Sequence, residues 1–118
     1  MKYNKQKLET AKKFIAKDKE KTSQLLTSTV LDINADKISV LSSGLNKTEK
    51  AELVADIDKA IKLLTEIIRN YSFTPLFSKT IPKTGVDANV QVKIHENEID
   101  GVIKLMSELA PQINKILN

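Results

Sequence analysis

The chain has no cysteine and no tryptophan, and among its 118 residues there is one histidine, His95, and one arginine, Arg69. The missing cysteines exclude disulfides, thiolate metal sites and cysteine nucleophiles together. A lone histidine has no second imidazole with which to hold a metal, and a lone arginine leaves little for reading guanine in a DNA groove. Aromatic residues are 4% of the chain, so its core must be built from Leu, Ile, Val and Ala, which suits a helical bundle better than a β-sandwich. No stretch approaches the roughly 18 apolar residues needed to cross a bilayer. Residues 1–21 are too polar for a signal peptide, so Asn46-Lys47-Thr48 and Asn70-Tyr71-Ser72 read as chance matches to a glycosylation pattern and the expected location is cytoplasmic.

What is present is lysine and a set of amphipathic stripes. Eighteen lysines against one arginine, with abundant Asn and Ile, fit the codon bias of a low-GC bacterium, its phage or its plasmid. Residues 1–21 carry eight lysines against Glu9, Asp18 and Glu20, a net of +5, and the remaining 97 residues carry eleven basic and twelve acidic groups, a net of −1. All of the basic excess therefore sits at the start of the chain. The length is that of one domain with one core, residues 1–118, whose lysine-rich residues 1–21 are the weakly anchored half of the first helix.

The periodicity predicts a first helix from about Asn4 to about Asp32, with Leu8, Ala11, Ile15, Thr22, Leu25, Leu26, Thr29 and Ile33 on one face. Asp18 interrupts that face, and residues 17–24 lack a strong apolar side chain. A short helix carrying Ile38 and Leu41 is expected next, capped by Asp36 and closed by Gly44 at C′. Helix 49–71 is the clearest element, N-capped by Thr48 or Asn46. Leu53, Ile57, Ala60, Ile61, Leu64, Ile67, Ile68 and Tyr71 lie on one face, with Lys59, Lys62, Glu66 and Arg69 opposite. Pro75, Pro82 and Gly85 then break the pattern. Val90, Val92 and Ile94 alternate with polar residues, which fits either a short extended piece or an early start to the last helix capped by Asp87. The last helix is expected from about Asn97, with Asn97 and Asp100 resembling a capping box and Pro111 producing a kink or break. The fold class implied is all-α: an antiparallel bundle of three long helices, each about 30 Å, plus one or two short ones, with an apolar, proline-containing crossover loop over about 72–89.

Motifs with chemical content are few. Glu96 to Ile103 imitates the start of a calcium loop, but position 12 is Ser107 rather than a bidentate Glu, and Val102, Leu105 and Met106 continue a helical stripe. The stretch therefore reads as an acidic first helical turn. His95 beside Glu96 has the type of a general base but no nucleophile motif accompanies it, so it reads as a structural histidine. No catalytic residue, metal site or cofactor is assigned, and the chain is read as a non-enzyme.

Two segments qualify as interaction surfaces. Phe73, Leu76, Phe77 and Ile81 gather most of the phenylalanines into a proline-bounded, apolar loop, the expected partner-binding site. The alternative is that this loop folds back to cap the bundle. Lys5, Lys12, Lys13, Lys17 and Lys21 form a basic patch able to attract phosphate or to steer acidic partners, without interleaved aromatics for base stacking. Leu8, Ala11, Phe14 and Ile15 beneath it allow only weak attachment to an anionic membrane surface. The expected function is a non-enzymatic protein-interaction module, an adaptor, inhibitor or immunity- or accessory-type protein, docking through the 73–81 loop or an exposed helix face, with a homodimer among its partners. The alternative is a nucleic-acid-associated regulator using the basic N-terminal helix.

Overall fold

A computed structural model describes residues 1–73 and 88–117, with side chains described for 1–70 and 92–117. These residues form an all-α bundle of four helices: α1 (Lys5–Phe14), α2 (Lys19–Leu41), α3 (Lys47–Phe73) and α4 (Ala88–Leu117). Three are long and one is short, but the short one is not where periodicity placed it.

The expected first helix is two helices. Asp18, the residue that interrupts the apolar face, adopts an extended conformation and caps α2, its carboxylate accepting the Lys21 amide at 3.0 Å. The preceding turn is closed by the amides of Lys17 and Asp18 donating to the Phe14 carbonyl at 2.9 and 2.8 Å. Asn4 caps α1 in the same manner, accepting the Gln6 amide at 2.8 Å. The reversal folds α1 antiparallel onto α2, so that Lys7 Nζ meets Asp32 at 2.6 Å and Ser28 at 2.8 Å. Leu8, Ala11 and Ile15 enter the core.

The expected short helix is the second half of α2, which runs unbroken to Leu41 with Ser42 as its C-cap. Asp36 caps nothing. It is fully buried in mid-helix, and its two carboxylate oxygens accept the backbone N–H groups of Lys2 and Tyr3 at 2.6 and 2.8 Å. A buried carboxylate needs donors of this kind, and here they come from the start of the chain rather than from its own helix. Gly44 lies one residue beyond C′ and is not in the left-handed region.

α3 matches its expected span within two residues at each end. Asn46 is the cap, accepting the Glu49 amide at 2.8 Å, and its side-chain amide donates in turn to the Glu49 carboxylate. α4 begins at Ala88, so residues 90–94 are helical, and Asn97 and Asp100 lie well inside the helix instead of capping it. The acidic stretch from Glu96 is likewise interior helix, neither a calcium loop nor a first turn. α4 also continues through Pro111, which is exposed, as is Ser107 one turn earlier; the carbonyl left without a donor can therefore bond water.

α2 lies between α1 and α3, α4 completes the bundle against α3, and Lys12 of α1 reaches Asp100 of α4 at 2.5 Å. The core is aliphatic apart from Met106, with Leu26, Ile33 and Val40 of α2 facing residues such as Ile57, Leu64, Ile99 and Ile113. Thr22 and Thr29 are fully buried, and each hydroxyl donates to the carbonyl four residues back, Asp18 and Leu25, at 2.8 Å. That local bond lets a polar residue occupy a core position without an unsatisfied group.

Candidate functional site

α2 carries two apolar seams, one on each side of the helix. The inner seam is Thr22, Leu26, Thr29, Ile33, Asp36 and Val40, all buried. Its spacing alternates four and three residues, the 3.5-residue repeat that keeps a seam facing a partner helix. The outer seam is Gln24, Thr27, Leu31, Asn34, Ile38 and Leu41, with spacing of three and four, and every member is exposed. Leu31 is 65% exposed, Ile38 56% and Leu41 49%. At 100° per residue, Leu31 lies about 160° round the helix from Ile33. The outer seam therefore points directly away from the core, and none of its six residues is charged. Among the described residues, Leu31 and Ile38 are the two most exposed large hydrophobic side chains.

Two charges beside this seam, Lys37 and Asp32, are paired within the chain. Lys37 Nζ is 2.7 Å from Asp58 of α3, and Asp32 is held by Lys7 of α1. Both pairs pull charge away from the outer face towards neighbouring helices. What remains is a neutral ridge of Leu, Ile, Thr and Asn about four turns long.

The sequence-predicted basic patch is divided among several tasks. Lys12 pairs with Asp100, and Lys5 lies 3.4 Å from Glu9 one turn on. Lys21 places its ammonium 4.1 Å from the centre of the Phe14 ring, bracing the turn between α1 and α2. Lys13 and Lys17 are exposed. Lys7, left out of the expected patch, is the best-bonded lysine of α1, with both Ser28 and Asp32 as acceptors. Of the predicted partner-binding residues, Phe73 is the last residue of α3, and Leu76, Phe77 and Ile81 lie outside the described residues.

Two buried polar side chains lie apart from these surfaces. His95 is 5% exposed on the inner side of α4, with Nδ1 3.2 Å from a Glu98 carboxylate oxygen. The Tyr3 hydroxyl is buried without a hydrogen-bond partner among the described residues, and burial, aided by the nearby Glu9 charge, pushes its pKa up to about 12. A cleft of about 530 Å³ opens beside the α2–α3 turn, with Leu45, Leu53 and Ile116 among its apolar residues and Glu49, Glu52 and Asp56 along α3. Of these acids, Glu49 in the first turn is expected from the helix dipole alone. Among the described residues no group of three or more His, Asp or Glu is placed to hold a metal ion, and no helix is long and apolar enough to cross a membrane.

No family model, curated protein or solved structure matches the chain.

Proposed function

We propose that the chain is a non-enzymatic protein-interaction module that docks through the outer face of α2. The observation that carries this reading is the outer seam itself, a heptad-spaced apolar ridge turned away from the core by about half a turn. A helix that serves only one core has a polar outer face. Here Leu31, Ile38 and Leu41 are exposed in the same rhythm that the core side uses, and exposed apolar residues in one contiguous patch mark an interface. The exposed Lys13 of α1 and Lys17 of the turn that follows add a positive field that speeds encounter with acidic partners. The docking element is thus an exposed helix face, one of the two surfaces expected from sequence.

The test is a photoreactive amino acid placed at position 31, compared with one at position 59 on the exposed side of α3, in cells of the source organism. Discrete protein adducts at 31 and none at 59 are expected. Equal adducts at both positions, or none at either, would overturn docking through α2. Binding to duplex DNA that falls steeply with salt and is abolished by Lys12→Glu with Lys13→Glu would move the function to α1 instead.

A further inference from the structure

We infer that the partner of the outer α2 seam is a second copy of the same chain, packed antiparallel across a two-fold axis near Asp36. This rests on the reading of that seam as a docking face and names its occupant. Two observations favour the chain itself.

The first is register. Two antiparallel helices with heptad seams interlock when first-type positions of one meet fourth-type positions of the other. With the axis at the level of residue 36, Leu31 falls opposite Leu41 of the second copy and Asn34 opposite Ile38. Every strong apolar residue of the seam is then covered by the same surface that it helps to form, as a self-complementary two-fold interface requires.

The second is charge. The chain carries a net charge of +4, so two copies repel unless they meet on a neutral face and keep their basic parts apart. The outer seam has no charged residue, and the flanking Lys37 and Asp32 are each paired within their own chain. Four of the eight lysines of residues 1–21, Lys13, Lys17, Lys19 and Lys21, lie with Asp18 and Glu20 at the end of the bundle where α1 turns into α2, a net of +2 there. An antiparallel pair sends these two ends in opposite directions and opposes the helix dipoles, whereas a parallel pair brings both basic ends together.

The seam is short, so the interface belongs with the weak ones and needs concentration to show itself. Sedimentation equilibrium from about 10 μM to about 1 mM spans the dissociation constants of such contacts. The wild-type chain is expected to shift from monomer to dimer over that range, and Ile38→Lys to stay monomeric with an unchanged circular dichroism spectrum. A wild-type chain that is monomeric throughout overturns self-association. If position 31 nevertheless gives adducts with other proteins, the docking face stands and only its occupant is wrong.

The absence of native cysteine makes the geometry directly readable. Leu31→Cys and Leu41→Cys, oxidised as a mixture, are expected to give the mixed disulfide dimer, while neither variant alone should cross-link. In the antiparallel arrangement two copies of residue 31 lie about 15 Å apart along the axis, beyond the roughly 7 Å that a disulfide spans between Cα atoms. Dimers from each variant alone, without the mixed species, would overturn the antiparallel arrangement.

Discussion

Replacing Asp36 with alanine removes the carboxylate that ties the start of the chain to α2. The two bonds it accepts, from the Lys2 and Tyr3 amides at 2.6 and 2.8 Å, involve a charged acceptor that is fully buried. Hydrogen bonds to charged groups contribute about 1.5–3 kcal/mol each net of exchange with water, so the two together contribute about 3–6 kcal/mol. Removing the carboxylate also removes the cost of burying it, which offsets about half of that loss. Alanine also favours the helix interior over aspartate by about 0.6 kcal/mol. The net expectation is a loss of about 2 kcal/mol. With an unfolding entropy of about 2.1 cal/mol/K per residue, that lowers the thermal midpoint by about 8 °C. Thermal unfolding followed by far-ultraviolet circular dichroism measures it, and amide exchange adds a local readout, since Lys2 and Tyr3 should lose protection selectively. Asp36→Asn keeps one acceptor oxygen and should cost about half as much. A change below about 0.5 kcal/mol for Asp36→Ala, within the range of ordinary surface substitutions, would refute the view that this carboxylate anchors α1.

Other substitutions separate the two sides of α2. Leu26→Ala on the inner seam should cost about 2–5 kcal/mol in denaturant unfolding, whereas Leu31→Ala, five residues on, should change stability by less than about 0.5 kcal/mol at concentrations where the chain is monomeric. Asp18→Ala removes the cap that starts α2 and should cost about 1 kcal/mol, with Asp18→Asn nearly neutral. Tyr3 makes a prediction about pH: its folded pKa of about 12 lies above the unfolded value of 10.0, so the stability it supports is complete below pH 10 and falls as the pH rises from there towards 12, because the unfolded phenol ionises first. Phenolate absorbance in a Tyr71→Phe variant, which leaves Tyr3 as the sole tyrosine, should show a midpoint near 12, and a midpoint near 10 would contradict its burial.

The legibility of this fold in its sequence follows from what each residue has to do locally. α3 could be read almost to its ends because Asn46, Glu49 and the stripe from Leu53 agree with one another. The start of α4 was legible only as two alternatives, near Asp87 or near Asn97, because Val90, Val92 and Ile94 alternate like a strand and Asn97 and Asp100 mimic a cap that the helix does not need; the helix takes the earlier start. The break at Asp18 was visible as an interruption of the stripe. Its meaning was not, because α1 and α2 continue the same apolar phase across it and only the antiparallel fold-back distinguishes two helices from one. Asp36 misled for a related reason. An aspartate before Ile38 and Leu41 looks like a helix start, and its real donors are 33 and 34 residues away in the chain. Splitting the helix at Asp36 also hid the candidate site, since Leu31 was then assigned to one helix and Ile38 and Leu41 to another. Read as one helix, residues 24–41 show the alternating three- and four-residue spacing without any structure. The basic patch was legible as a charge excess, but not that Lys5, Lys12 and Lys21 each have a contact within the chain.

On the proposed reading, α2 serves the core with one face and a partner with the other. Ile38→Lys separates the two faces when its thermal midpoint and its docking are measured on the same sample. A midpoint within about 2 °C of the wild type is expected, as for an exposed site, together with loss of both the concentration-dependent dimer and the adducts formed from position 31. A midpoint lowered as far as that of Leu26→Ala would show that the outer seam is part of the monomer's own core, and the claim would fail.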